Sequence, residues 1–162
     1  MQQAAVNNTN RNEKIKSPLM RLLDGIHLTE NLIDEYNSQR ENIRFRIAQA
    51  GIKYEDGKYI LPERHNPEAE RILYEAERIE GLIARSTLKL VGKQRLATNL
   101  ISRMNDYRLK LIIIKRYIDH KPVDTIAIEM GYSPRHTQRM LKEATDMLEE
   151  IYEAYRKKKE LS

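Results

Sequence analysis

The stretch Val123–Leu148, VDTIAIEMGYSPRHTQRMLKEATDML, constrains the fold more than any other part of the chain. Gly131 can take the left-handed backbone that a side chain resists, so a helix running into it stops there. Ser133 and Pro134 follow, a capping hydroxyl and a proline suited to the first position of a new helix. Upstream, Pro122 breaks whatever precedes it. Ile126, Ala127 and Met130 then fall on the inner face of a short helix over Val123–Met130. Ala127 is small enough to let two crossing helices approach. Downstream, Thr137, Leu141, Ala144, Leu148 and Ile151 repeat at steps of three and four, one side of a longer helix. The pattern predicts two helices joined by a tight Gly131-Tyr132-Ser133 turn, which is a helix-turn-helix.

The same reasoning adds a helix in front. Asp106 is placed to cap Tyr107–Ile118, with Leu109, Ile112, Ile113 and Tyr117 buried and Arg108, Lys110, Lys115, Arg116 and Lys121 in water. Pro122 leaves the following helix without a side-chain cap, although Asp124 favours its dipole. Residues 105–155 therefore read as one helix-turn-helix domain. Tyr152 and Tyr155 are expected to pack on it. Residues 156–162 read as a basic tail whose Arg156-Lys157-Lys158-Lys159 is a solubilising end or, alternatively, a set of phosphate contacts.

Residues 17–104 carry a different pattern. Ser17-Pro18 opens a helix, and Leu19, Leu22, Ile26, Ile33, Tyr36, Ile43, Ile47 and Ala50 form a heptad stripe with gaps at Thr29 and Arg40. Gly51 ends it. Asn66-Pro67-Glu68 opens a second helix whose stripe runs Ile72, Ala76, Ile79, Ile83, Ser86, Leu90, Lys93, Ala97, Leu100 and Met104. Two such stripes fold back as a long antiparallel helical hairpin, coiled-coil-like. The connecting loop, 51–66, contains Asp56-Gly57 between Ile52/Tyr54 and Tyr59/Leu61, and is either a small β-hairpin or an irregular loop. Leu23, Leu32, Leu73, Leu82, Leu88, Val91 and Leu96 remain apolar outside the stripes. Covering them takes the C-terminal part or a second chain, so the segment is expected to mediate homo-oligomerisation as a dimer. The polar start, residues 1–16, is expected to be a disordered arm. The fold class is all-α.

Composition narrows the function classes. The 162 residues suit one or two small domains, and 33% charged residues against 40% hydrophobic ones suit solvated helices more than a broad sheet core. A net charge of +5 favours a polyanionic partner. Cysteine is absent, which excludes disulfides and thiolate metal sites and suits a reducing cytoplasm. No apolar run approaches membrane-spanning length and no signal peptide is expected, so the chain is placed in the cytoplasm, away from membranes.

The longer helix of the helix-turn-helix presents Arg135, His136, Gln138, Arg139 and Lys142 outward. Arg pairs with guanine and Gln with adenine through two hydrogen bonds in the major groove. No acid lies between Glu129 and Glu143, and the helix N-terminus itself favours phosphate. Gln138 and Arg139, then Arg135 and His136, are the candidate base-reading residues. Arg108, Arg116, Lys121, Ser133 and Lys142 are the candidate phosphate contacts. The alternative for all of them is a solvated basic face. Double-stranded DNA is the partner expected, and no cofactor or metal.

Arg108–Leu148 resembles the fourth conserved region of bacterial sigma factors, with Ile126-Ala127, Gly131, Ser133 and Leu141 in that family's pattern. From about Leu19 onward the chain is more similar to phage-encoded regulators of the RinA/ArpU type. The matching pieces are Met104-Asn105-Asp106-Tyr107-Arg108, Arg116-Tyr117-Ile118, Ile126-Ala127 and Met130-Gly131-Tyr132-Ser133-Pro134-Arg135, with Arg139 and Lys142-Glu143-Ala144. The resemblance implies activation of phage late genes (packaging, structural and lysis modules) by binding near a promoter in the host bacterial cell. Pro122 departs from it, since relatives usually offer a Ser or Thr cap there.

Catalysis is not expected. The four histidines, His27, His65, His120 and His136, are scattered, none is read as pairing with a carboxylate at metal-ligand spacing, and neither a phosphate loop nor a nucleophile elbow is present. Two further non-enzymatic alternatives stand beside a DNA-reading regulator. One is a sigma-like adaptor acting mainly through host RNA polymerase. The other is a small terminase-like packaging subunit, a class that usually places its DNA-binding domain first.

Overall fold

The computed structural model describes residues 16–64 and 66–161. The expectation of a disordered arm thus falls, but for Lys16, outside the described residues, as does His65. Among the described residues the fold is all-α apart from one small hairpin: α1 is Pro18–Gln49, β1 Lys53–Glu55, β2 Lys58–Ile60, α2 Pro67–Ser102, α3 Tyr107–Ile113, α4 Val123–Met130 and α5 Pro134–Glu160. It divides into two compact units, one of residues 26–96, the other of residues up to 25 together with 97–162. The division cuts through both long helices, so the first two turns of α1 and the last turn of α2 belong with the helix-turn-helix.

In the 26–96 unit, α1 and α2 run antiparallel. Arg46 donates to Glu75 at 2.6 Å near one end, and Lys93 donates to Thr29 at 2.8 Å near the other. Ile43, Ile47, Ile52, Ala69, Ile72 and Ile79 form the buried cluster. The gaps in the heptad stripe are polar layers. Thr29 is buried on the Lys93 ammonium, and the Nε of Arg40 is buried with an ion pair to Glu41 at 3.8 Å. The helix α1 closes with Gly51 at φ 71° and Ile52 N–H donating to Ile47 C=O at 3.2 Å, which buries Ile52 under the turn. Of the two readings of the loop, the β-hairpin forms. Asp56 and Gly57 both have positive φ, 53° and 80°, the backbone of a tight two-residue turn matched to strand twist. Tyr54 pairs with Tyr59 across it, ring centroids 4.9 Å apart. Asn66 then caps α2 by accepting from Glu68 N–H at 3.1 Å and Ala69 N–H at 3.3 Å.

The other unit is built around α3, α4 and α5. Ser17 caps α1, accepting from Met20 N–H at 3.2 Å, and its hydroxyl donates to Glu149 on α5 at 3.0 Å. Leu19 and Leu23, which belong to this unit, are fully buried. Asp106 caps α3 through Arg108 N–H at 2.8 Å and Leu109 N–H at 3.2 Å. Leu109, Ile112 and Ile113 are buried as expected. The last turn of that helix differs from expectation: residues 114–118 wind as a π-helix, with Asp119 N–H reaching back to Ile114 C=O at 3.0 Å. His120 at φ 55° then turns the chain toward Pro122.

Two inner faces shift slightly from the predicted ones. On α5, Thr137, Met140, Ala144 and Leu148 are buried, while Leu141 and Ile151 are half-buried. Met140 takes the inward place expected of Leu141, because a stripe at three and four can be followed by either of two neighbouring rows. On α4, Ile126 and Ala127 are buried and Met130 is half-buried. The expected tail is not separate: α5 continues to Glu160, with Lys157, Lys158 and Lys159 in its last turn, where cations favour the dipole. Tyr152 and Tyr155 are half-buried, and the Arg103 guanidinium lies over the Tyr155 ring at 5.6 Å.

Candidate nucleic-acid interface

The turn before α5 is fixed by backbone chemistry. Gly131 sits at φ 71°, ψ 31°, and Tyr132 N–H donates back to Ala127 C=O at 2.9 Å, closing α4. Ser133 is extended, and its hydroxyl accepts from His136 N–H at 3.2 Å. Thr137, fully buried, returns its own hydroxyl to Ser133 C=O at 3.1 Å. The first turn of α5 is therefore held from both sides, and Pro122 leaves α4 without a side-chain cap, as its sequence implied.

Arg135, Gln138, Arg139 and Lys142 are all exposed. Their spacing of three, four and seven puts them on one face of α5, away from buried Met140 and Ala144. His136 differs from expectation, being half-buried. The edge of its ring meets Tyr132 with centroids 4.9 Å apart, and its Nδ1 lies 3.1 Å from the Arg139 guanidinium. Ser133 is exposed at the tip of the same turn. The face closes with Glu143, Asp146 and Glu150, which line the side of α5 beyond Lys142.

The remaining phosphate candidates divide. Arg108 is exposed in the first turn of α3, 3.9 Å from Asp106. Arg116 and Lys121 are half-buried and not simply in water. Arg116 donates to the Lys121 carbonyl at 3.1 Å, and Lys121 pairs with Glu129 at 2.6 Å. Lys115 binds the other oxygen of Glu129. The two ammonium groups, Lys115 foremost, hold the Glu129 carboxyl below its ordinary range. Sequence reasoning passed over Glu129 as a partner, because pairs separated by 8 and 14 residues leave no periodic signal. It also passed over Tyr132 as a wall for His136, because Tyr132 lies in the turn outside α5, where helical spacing does not name neighbours.

Tyr117, in the π-helical turn, is half-buried, with its hydroxyl 3.9 Å from the Met20 sulfur. Burial pushes its phenol above the ordinary range, partly offset by a hydrogen bond with Thr145. His27 has a carboxylate three residues on, Glu30, with ligand atoms within 4.8 Å, so the sequence reading of the histidines as lacking such spacing is corrected at this pair. Glu30 also accepts from Gln94 at 3.1 Å.

No helix among the described residues is long and apolar enough to cross a membrane. A scan of protein-family models, a search of curated protein sequences and a search of solved structures each returned no match.

Proposed function

We propose that this chain is a sequence-specific DNA-binding transcriptional regulator, with α5 lying in the major groove of promoter DNA. One observation carries the proposal. A helix-turn-helix with a fixed turn presents Arg135, Gln138, Arg139 and Lys142 on one exposed, acid-free face at the capped end of its second helix. Arg and Gln at such positions match guanine and adenine edges, and the helix N-terminus matches phosphate. Arg135, Gln138 and Arg139 are the base contacts, and Ser133 and Lys142 the phosphate contacts nearest them. Arg108 is a further phosphate contact from α3. Arg116 and Lys121 support the domain through the Lys121 carbonyl and Glu129, and contribute to phosphate binding only through charge.

The sigma-like pattern of Ile126-Ala127, Gly131 and Ser133 extends the proposal to activation of late genes of a phage or prophage, with host RNA polymerase as second partner. Self-association belongs to it as well. In the 26–96 unit Leu28, Leu32, Leu88 and Val91 are 66%, 42%, 74% and 54% exposed, apolar surface that a second copy would cover.

The test is selection of duplexes from a randomised pool by the full chain, followed by binding with excess competitor DNA. A sequence-reading protein enriches a defined motif that survives competition, whereas a charge-only binder enriches none and releases all duplexes together as salt rises. Absence of an enriched motif would remove base reading from the proposal.

A further inference from the structure

Resting on the assignment of α5 to the major groove, we infer that His136 is the positioning residue for Arg139: its imidazole holds the guanidinium ready to grip one guanine, and it does not itself read a base. An arginine can only donate, so the 3.1 Å contact makes Nδ1 of His136 the acceptor and leaves the ring proton on Nε2. The imidazole is fixed in turn. The main-chain N–H of His136 donates to the Ser133 hydroxyl at 3.2 Å, which fixes the start of the helix, and the His136 ring meets the Tyr132 ring edge-on with centroids 4.9 Å apart. Tyr132 is itself tied to α4 through its N–H and Ala127 C=O at 2.9 Å. A chain of contacts thus runs from the turn glycine region to the tip of an exposed Arg.

An exposed arginine loses rotamer freedom when it binds, and a guanidinium already held in place loses less. One Nη2 proton is engaged by His136. The other protons of the planar fork stay available for the two acceptors, O6 and N7, that guanine shows in the major groove. A half-buried imidazole with its acceptor nitrogen occupied keeps a single donor, too little to tell one base pair from another.

The test uses the full chain and the duplex motif selected from a randomised pool. Arg139→Ala should abolish the preference for guanine at one position of that motif. His136→Leu keeps bulk and removes the acceptor, and is expected to reduce the same preference by about threefold to tenfold, the range set by ordering one long side chain. Other positions and affinity for random-sequence duplex should be unchanged. His136→Asn, whose Oδ1 can accept near the place of Nδ1, should restore the preference. A merely structural role would weaken every position equally and would not be rescued by Asn, and either result overturns the inference. Nitrogen chemical shifts of the His136 ring in the wild-type chain offer a measurement independent of variant folding: the Nε2–H tautomer is expected, and an Nδ1–H tautomer overturns the inference. If Arg139→Ala leaves every preference intact, Arg139 reads no base and the inference falls, while reading by α5 through Arg135 and Gln138 is untouched. If Arg139→Ala acts at one position and His136→Leu does not, only the positioning role fails.

Discussion

Lys121 donates to Glu129 across 2.6 Å, tying the chain just before α4 to the last turn of that helix. Lys115, in the π-helical turn, binds the same carboxylate. One acid near the C-terminal end of α4 thereby ties that helix to the segment before its uncapped start, and it gathers two cations that an inspection of charge alone would assign to DNA.

Glu129 therefore makes stability depend on acid. Its carboxyl is held below the ordinary value of 4.5, so the folded state binds its proton less readily than the unfolded state does. The stabilisation is fully present above that ordinary value and is lost as pH falls through the lower, folded one. Thermal melts of the wild type and Glu129→Gln should differ at neutral pH, with the variant melting lower, and converge in strong acid. High salt should also narrow the gap at neutral pH, because the pair is partly exposed and screened.

Two glycines should respond with opposite signs. Gly131 stands at φ 71°, and a Cβ there would meet nothing within 4 Å, so the penalty of Gly131→Ala is backbone strain alone, about 1–2 kcal/mol. Gly92 lies within α2, is exposed and also has open space around it. Gly92→Ala should stabilise its helix by about 0.5–1 kcal/mol. Urea unfolding of the two variants checks both. A stable Gly131→Ala protein would mean that the turn before α5 does not require the left-handed backbone.

Tyr117 should ionise above the range of an ordinary phenol. Burial raises its phenol above the ordinary 10.0, an effect larger than the opposing hydrogen bond with Thr145. A raised folded-state value means that its contribution to stability is present below the ordinary value and is lost as pH climbs through the higher one. In an alkaline absorbance titration, Tyr117→Phe should remove a component that ionises above the ordinary value. Loss of an early component instead would place the hydroxyl in water.

Much of the fold was legible in the chain because it is written in local chemistry. Ser17, Asn66, Asp106 and Ser133 all cap where their side chains suggested, and Gly51 and Gly131 both take the left-handed conformation that ends a helix. The heptad stripes gave the hairpin of α1 and α2. Less legible were features decided by tertiary contact. The π-helical turn at 114–118 follows from no residue preference, since Ile, Lys, Arg and Tyr all suit an ordinary helix. Met140 and Leu141 are neighbours of similar apolarity, and only packing decides which one is buried. The outward set on α5 was legible by elimination, as the residues left when the inner face was assigned. The inward turn of Lys121 and the half-burial of His136 were not, because each depends on a partner, Glu129 or Tyr132, that periodicity does not name.

The central claim is that α5 reads bases through Gln138 and Arg139, both exposed and outside the core. The measurement that tests it most directly is binding of wild type and the Gln138→Ala/Arg139→Ala double variant to the selected duplex and to random-sequence duplex. Each good side chain–base pair is worth about 1–3 kcal/mol of discrimination. The double variant should therefore lose about 2–6 kcal/mol of specificity if the two pairs act independently. Its helical circular dichroism and melting should match wild type. Retention of wild-type preference for the selected duplex by a folded double variant would contradict the account.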